Sequence, residues 1–283
     1  TYTCTITNGD GTVLTRTVTI TQPSALTAST AQTNVLIYGN TTGAATVYTS
    51  GGTSPYTYAW SSLSATTSSV SNLAAGSYTC TITDANGCSI TKSFTITQPV
   101  ILAASTSSTN VSCNSGENGS ATISVTGGVT PYLYVWTPNV SSGATASNLA
   151  YGTYSCTVTD ANGATLTRSF TITQPTALTA TTSQVNILCN SATTGSASVV
   201  VSGGTSGYTY AWSPSGGTAA TASNLAAGTY SCLITDANGC TITKSFTITQ
   251  PSQLTASTSQ TNVAINGTST GVASVTVAGG VPG

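Results

Sequence analysis

Histidine and methionine are absent from this 283-residue chain, and charge is nearly so: four basic and five acidic side chains make up 3% of it. Without His there is no Ser–His or Cys–His nucleophilic pair and no His-containing metal site. The few carboxylates lie far apart in sequence, so two-carboxylate acid/base chemistry lacks its second acid. The chain therefore reads as non-enzymatic, with no cofactor and no metal. No basic patch exists, which excludes electrostatic binding to nucleic acid or to an anionic membrane surface. No apolar run approaches the length of about 18 residues that spans a bilayer, so no membrane insertion is expected. Helical periodicity is missing as well.

What is present is repetition. The stretch Asn72–Pro99, NLAAGSYTCTITDANGCSITKSFTITQP, recurs as Asn148–Pro175 and Asn224–Pro251, and its second half opens the chain. Pro23, Pro99, Pro175 and Pro251 are evenly spaced, and Trp60, Trp136 and Trp212 keep the same spacing. A period of this size means a tandem array. The units are 24–99, 100–175 and 176–251, flanked by the C-terminal part of a repeat at 1–23 and the N-terminal part of another at 252–283. Both ends fall inside repeats and read as cuts through a longer protein, with no signal-like start. A 76-residue domain buries only roughly 60% of its unfolded surface, so neighbouring repeats are expected to support one another.

Within 24–99, Leu26–Ala28 and Val35–Tyr38 read as one broken strand, closed by a Gly39–Gly43 turn. Ala44–Ser50 is the next strand. Its copies alternate Ala, Ile and Val with Ser and Thr, the period-2 pattern of a half-buried strand. Gly51-Gly52 punctuates before Tyr56–Ser61. Ser64–Asn72 reads as a short edge strand plus loop. Gly76–Thr83 and Cys88–Thr97 form the last pair, around an Asp84-Ala-Asn86-Gly87 turn in which Asn and Gly tolerate positive φ. Six or seven short strands with Gly-rich turns indicate a β-sandwich. Gly76-Ser-Tyr78-Thr-Cys80 has the layout of a tyrosine corner, and Trp60 sits where an immunoglobulin-like core carries its Trp. The expected fold is all-β: tandem immunoglobulin-like β-sandwich repeats, one per period, joined by short, stiff Gln-Pro segments into an extended rod. Trp60, Trp136, Trp212, Tyr78, Tyr154 and Tyr230, with Phe94 and its copies, are the expected core. The four prolines set the joints.

The order G-G-x-x-P-Y-x-Y-x-W (Gly51–Trp60), N-L-x-x-G-x-Y (Asn72–Tyr78), T-D-A-N-G-C (Thr83–Cys88) and I-T-Q-P (Ile96–Pro99) resembles the SprB repeat of Bacteroidota surface adhesins. That resemblance implies extracellular display on the cell surface through the type IX secretion route, with roles in gliding motility and adhesion. Against it stand Cys4, Cys80, Cys156 and Cys232, where the family leads one to expect an aliphatic residue, and the turn positions Thr12 and Ala164, which lack Cys.

The eight cysteines fall in three classes, and no C-x-x-C occurs. The class after Tyr (Cys4, Cys80, Cys156, Cys232) reads as buried thiols acting as small hydrophobes, with disulfides as the alternative. Of the remainder, Cys189–Cys240 is the favoured pair, closing about 50 residues for roughly 4 kcal/mol in the loop-entropy model. Cys113–Cys156 competes with it, and Cys80–Cys88 would join non-opposed positions of one hairpin. Asp84-Ala-Asn86-Gly87 lacks the ligands of a calcium loop and reads as a turn. Five Asn-x-Ser/Thr sequons begin at Asn40, Asn110, Asn118, Asn139 and Asn266.

Three functions are then in contention. The first is the shaft of a long, secreted cell-surface adhesin, whose partners are the neighbouring repeats. The second is a self-assembling filament or bundle of copies of the chain, since near-zero charge leaves Thr-rich edges poorly protected against pairing. The third is a multivalent array binding surface glycans through Tyr56, Tyr58 and Trp60, which requires that Trp and its copies be exposed.

Overall fold

The computed structural model describes residues 1–281, and every regular element among them is a β-strand. A hairpin of β1 (Tyr2–Thr7) and β2 (Val13–Val18) comes first. Six strands follow in 24–99: β3 (Thr27–Thr33), β4 (Gly43–Ser50), β5 (Thr57–Trp60), β6 (Ser69–Leu73), β7 (Gly76–Thr83) and β8 (Ser89–Ile96). They recur as β9 (Ala103–Thr109), β10 (Gly119–Thr126), β11 (Leu133–Thr137), β12 (Thr145–Leu149), β13 (Gly152–Thr159) and β14 (Thr165–Ile172). They recur again as β15 (Thr179–Val185), β16 (Gly195–Ser202), β17 (Thr209–Ser213), β18 (Thr221–Leu225), β19 (Gly228–Thr235) and β20 (Thr241–Ile248). A second hairpin, β21 (Thr255–Thr261) and β22 (Val272–Ala278), follows.

Each set of six makes two three-stranded sheets, ordered β3-β4-β6 and β5-β7-β8 in 24–99. All pairings there are antiparallel. Counting the strands A, B, C, E, F, G, this is the ABE and CFG arrangement of an immunoglobulin-like sandwich without strand D. Packing divides the chain into two compact units, and the division passes through 100–175.

The first unit contains 24–99 whole. Residues of β4 alternate, with Gly43, Ala45 and Val47 turned inward. They meet Trp60, Leu73, Cys80, Ile82, Phe94 and Ile96 in one core. Trp60 is 5% exposed, lies 5.2 Å from the Phe94 ring, and donates its indole N–H to the Thr67 carbonyl at 2.8 Å. The half-buried Tyr78 donates its hydroxyl to the Ala74 carbonyl four residues upstream, closing the tyrosine corner. The second unit contains 176–251 whole. Its core repeats the pattern with Trp212, Tyr230, Cys232, Ile234 and Phe246. Trp136 and Trp212 are 2% and 8% exposed, and Tyr154 and Tyr230, both buried, donate to the Ala150 and Ala226 carbonyls. Cys80 and Cys232 are buried thiols whose pKa desolvation raises, so they stay protonated and inert. Cys156 is buried at the equivalent place.

Two expectations fail here. Val35–Tyr38 is not strand: β3 ends at Thr33, and the chain then swings toward the other sheet. The reason is hydrogen bonding, since the Val35 N–H donates to the Thr97 carbonyl while Asn34 Oδ1 accepts the Thr97 N–H. The aromatic platform fails as well. The Trp rings are inside, and the Tyr56 and Tyr58 hydroxyls are engaged with the Gly51 carbonyl and the Thr49 hydroxyl.

Candidate functional site at the inter-repeat joint

A disulfide and several recurrent side-chain hydrogen bonds gather at the Gln-Pro segments. Two recurrent devices of the repeat meet there: a loop after the first strand (Asn34–Asn40 in 24–99) and the turn Asp84–Gly87, which begins after β7. The turn is built around its carboxylate. Asp84, buried, accepts the N–H groups of Thr53 through Oδ2 and of Asn86 and Cys88 through Oδ1, all within 2.9–3.0 Å. Asp160 and Asp236 accept the same three donations in their repeats. For Asp84 and Asp236 the donation from Thr53 or Thr205 is the main cause that holds the carboxyl below the ordinary 3.8. At Asp160 burial pushes upward most strongly, but the donations from Val129, Ala164 and Asn162 outweigh it. In 1–23 the place of this Asp is taken by Asn8, whose Oδ1 accepts the Asp10 N–H. Asp84 thus ties the end of one sheet to the Gly51-Gly52 turn, which itself grips the start of the repeat: the Gly52 N–H donates to the Ser24 carbonyl at 2.8 Å.

Each joint is held from both sides. In the first unit, Gln98 Oε1 accepts the Gly39 N–H of the loop in its own repeat, and the Val100 carbonyl accepts the Gly128 N–H of the following one. Asn162, in the Asp turn of the following repeat, donates to the Leu36 carbonyl at 2.7 Å. In the second unit the same contacts surround Pro175, with Ser115 donating to Gln174 and Gly204 to the Thr176 carbonyl. Asn114 adds a donation to the Pro175 carbonyl, and Asn238 donates to the Ser112 carbonyl. Around Pro251, Ser191, Asn190 and Gly280 play the corresponding parts. Pro99, Pro175 and Pro251 are half-buried in these settings, whereas Pro23 is exposed.

One joint is covalent. Cys113, in the loop, forms a disulfide with Cys240, directly after the Asp turn of the next repeat, with Cα atoms 5.7 Å apart. The expected Cys189–Cys240 pair is therefore not formed. The loop of Cys189 is held at one end of its sandwich, where Asn190 and Ser191 donate to the Pro251 carbonyl and Gln250 Oε1, and Cys240 donates its N–H to Asp236 at the other. The eight residues of β20 separate those ends, about 26 Å at 3.3 Å per residue. Cys113–Cys156 is excluded by the same bond. Reasoning confined to one repeat could not find the true pair. A signal was nonetheless present: Ile37 and Ala164, which stand one period before Cys113 and Cys240, lack Cys together. Among the described residues no group of three His, Cys, Asp or Glu side chains could hold a metal ion.

The model of the SprB repeat family matches residues 29–65, 105–141 and 181–219. The SprB repeat model thus matches each of the three full repeats. Each match begins in the first strand and ends just beyond the Trp. It includes the joint loop and the Gly51–Trp60 motif, while Asn72–Tyr78, Thr83–Cys88 and Ile96–Pro99 lie outside it. No curated protein matches the chain. Among solved structures, immunoglobulin domains 1–5 of Sidekick-1 are similar at 13% identity and a TM-score of 0.37, over 87% of this chain and 65% of that one. The N-terminal eight immunoglobulin domains of DSCAM isoform 1.30.30 are similar at 11% identity and 0.36, over 88% and 43%. The chain thus spans less than two thirds of either. Strand order and the tyrosine corner, not this level of superposition, carry the immunoglobulin-like character of these repeats.

Proposed function

We propose that this tandem of SprB repeats is a length of the shaft of a secreted cell-surface adhesin, a non-catalytic spacer that holds a distal tip away from the cell. The observation that carries the reading is the joint. The same hydrogen bonds clamp the residues on either side of Pro99 and Pro175, and a disulfide adds to them at the second. A chain of units that turn freely on one another would need none of these contacts. Repeat boundaries at Pro23, Pro99, Pro175 and Pro251 follow from the same reading, as do display through type IX secretion and a part in adhesion or gliding.

A second reading, lateral assembly into filaments, draws on the edge strands β3, β9 and β15, which border their sheets and carry no charge. Electron microscopy of the purified chain at rising concentration separates the two. Isolated straight particles roughly 130 Å long, from strands that set a rise of roughly 35 Å per repeat, support the shaft. Particles bent at variable angles overturn it, and ordered bundles make assembly the function.

A further inference from the structure

Aligned by the repeat period, the joint loop carries Ile37, Cys113, Cys189 and Ile265 at one position. The position after the Asp turn is held by Thr12, Cys88, Ala164 and Cys240. The disulfide joins a loop position to the turn position of the next repeat, at a sequence separation of 127. The other such pair within the chain is Ile37 with Ala164, where both cysteines are missing. The apposition is nevertheless the same at both joints, because Asn162 reaches the Leu36 carbonyl as Asn238 reaches the Ser112 carbonyl. Geometry is thus constant, and the sequence decides which joints are covalent.

Cys88 and Cys189 are the two cysteines at these positions that have no mate among the described residues, and both are exposed. They stand where Cys240 and Cys113 are bonded. We propose that each is half of a further inter-repeat disulfide: Cys88 with the loop cysteine of a SprB repeat placed before 24–99, and Cys189 with the turn cysteine of a repeat placed after 176–251. The partner is a repeat of this same architecture carrying Cys at the complementary position, at the separation that Cys113 and Cys240 have. Neighbouring Asn86 is set for it. Its Nδ2 donates to the Thr53 hydroxyl, as Asn238 does to Thr205 while also reaching across the joint. Bond formation takes two thiols to one disulfide. The two electrons and two protons pass to a small-molecule disulfide such as oxidised glutathione, which leaves as two thiols after a mixed-disulfide step.

The test uses the full chain with a second copy of residues 176–251 inserted after Pro251, oxidised with glutathione disulfide and mapped by non-reducing peptide mass spectrometry. Cys189 is expected linked to the inserted copy's equivalent of Cys240. Inserting instead a copy of 100–175, whose turn position is Ala, is expected to leave Cys189 open to alkylation. The reciprocal insertion of 176–251 between Pro23 and Ser24 is expected to protect Cys88. In the unextended chain, Ile37→Cys with Ala164→Cys is expected to create a second cross-link, which neither substitution alone produces. Cys189 alkylated equally in both extended chains, or linked to Cys240 of its own repeat, overturns the proposal. So does a folded Ile37→Cys/Ala164→Cys variant without the bond. The inference rests on joint geometry alone, so the microscopy of the shaft can fail without touching it.

Discussion

Gly51 has φ +72°, and a Cβ there would lie 2.0 Å from the Ala25 carbonyl oxygen. Gly127 and Gly203 have equivalent conflicts with Ile101 and Ala177. Nothing in that backbone can yield, because the adjacent Ser24 carbonyl is the acceptor for Gly52. Gly51→Ala should therefore destabilise the 24–99 repeat well beyond the ~1 kcal/mol of an unfavourable φ alone. Gly87→Ala, where φ is +83° but no atom lies within 4 Å, should cost about that much only. Urea denaturation of the two variants measures the difference, and equal effects would refute the steric argument. The Trp residues follow a packing argument. Trp60→Ala removes a ring held by Phe94 and by the Thr67 carbonyl, and should cost about 3–5 kcal/mol.

At the scale of the element, the Asp turn is the acid-sensitive part of the repeat. The folded carboxyls of Asp84, Asp160 and Asp236 are held below 3.8, so the folded state binds protons less readily than the unfolded chain. Their stabilisation is complete above the unfolded value and is lost as pH falls through the folded one. With no His to titrate, stability should be flat from about pH 5 to pH 8 and decline below about pH 4. Thermal melts across that range check this, and the Asp84→Asn/Asp160→Asn/Asp236→Asn variant should lose most of the acid-limb slope while melting lower at pH 7. A melt that fell between pH 8 and 6 would contradict the assignment.

Across the whole molecule, stability in a tandem array is the sum of repeat and nearest-neighbour terms. The Cys113–Cys240 bond adds to one neighbour term and leaves the Pro99 joint with hydrogen bonds only. Closing a loop at a sequence separation of 127 has an upper limit of about 5 kcal/mol in the loop-entropy model. Cys113→Ser with Cys240→Ser should accordingly lower amide-exchange protection in 176–251 and leave protection in β3–β8 unchanged. Equal loss in both repeats would mean that the array unfolds as one block rather than repeat by repeat.

Much of this molecule is determined by local order in the chain. The period, the alternation of Ala45 and Val47 with Thr46, the Tyr78-x-Cys80 corner and the Asp84–Gly87 turn are each legible in short, neighbouring stretches. Period-2 burial and turn chemistry act over that range. Tertiary structure alone decided what depends on apposition across longer distances. Val35 leaves the strand because Thr97, at the far end of the same repeat, offers it a partner. Asp84 is a buried hub rather than a surface turn residue because the Thr53 N–H arrives from another strand connection. Cys240 bonds Cys113 because opposite ends of one sandwich are too far apart to be bridged, whereas adjoining ends of successive sandwiches face each other across the short Gln174-Pro175 segment.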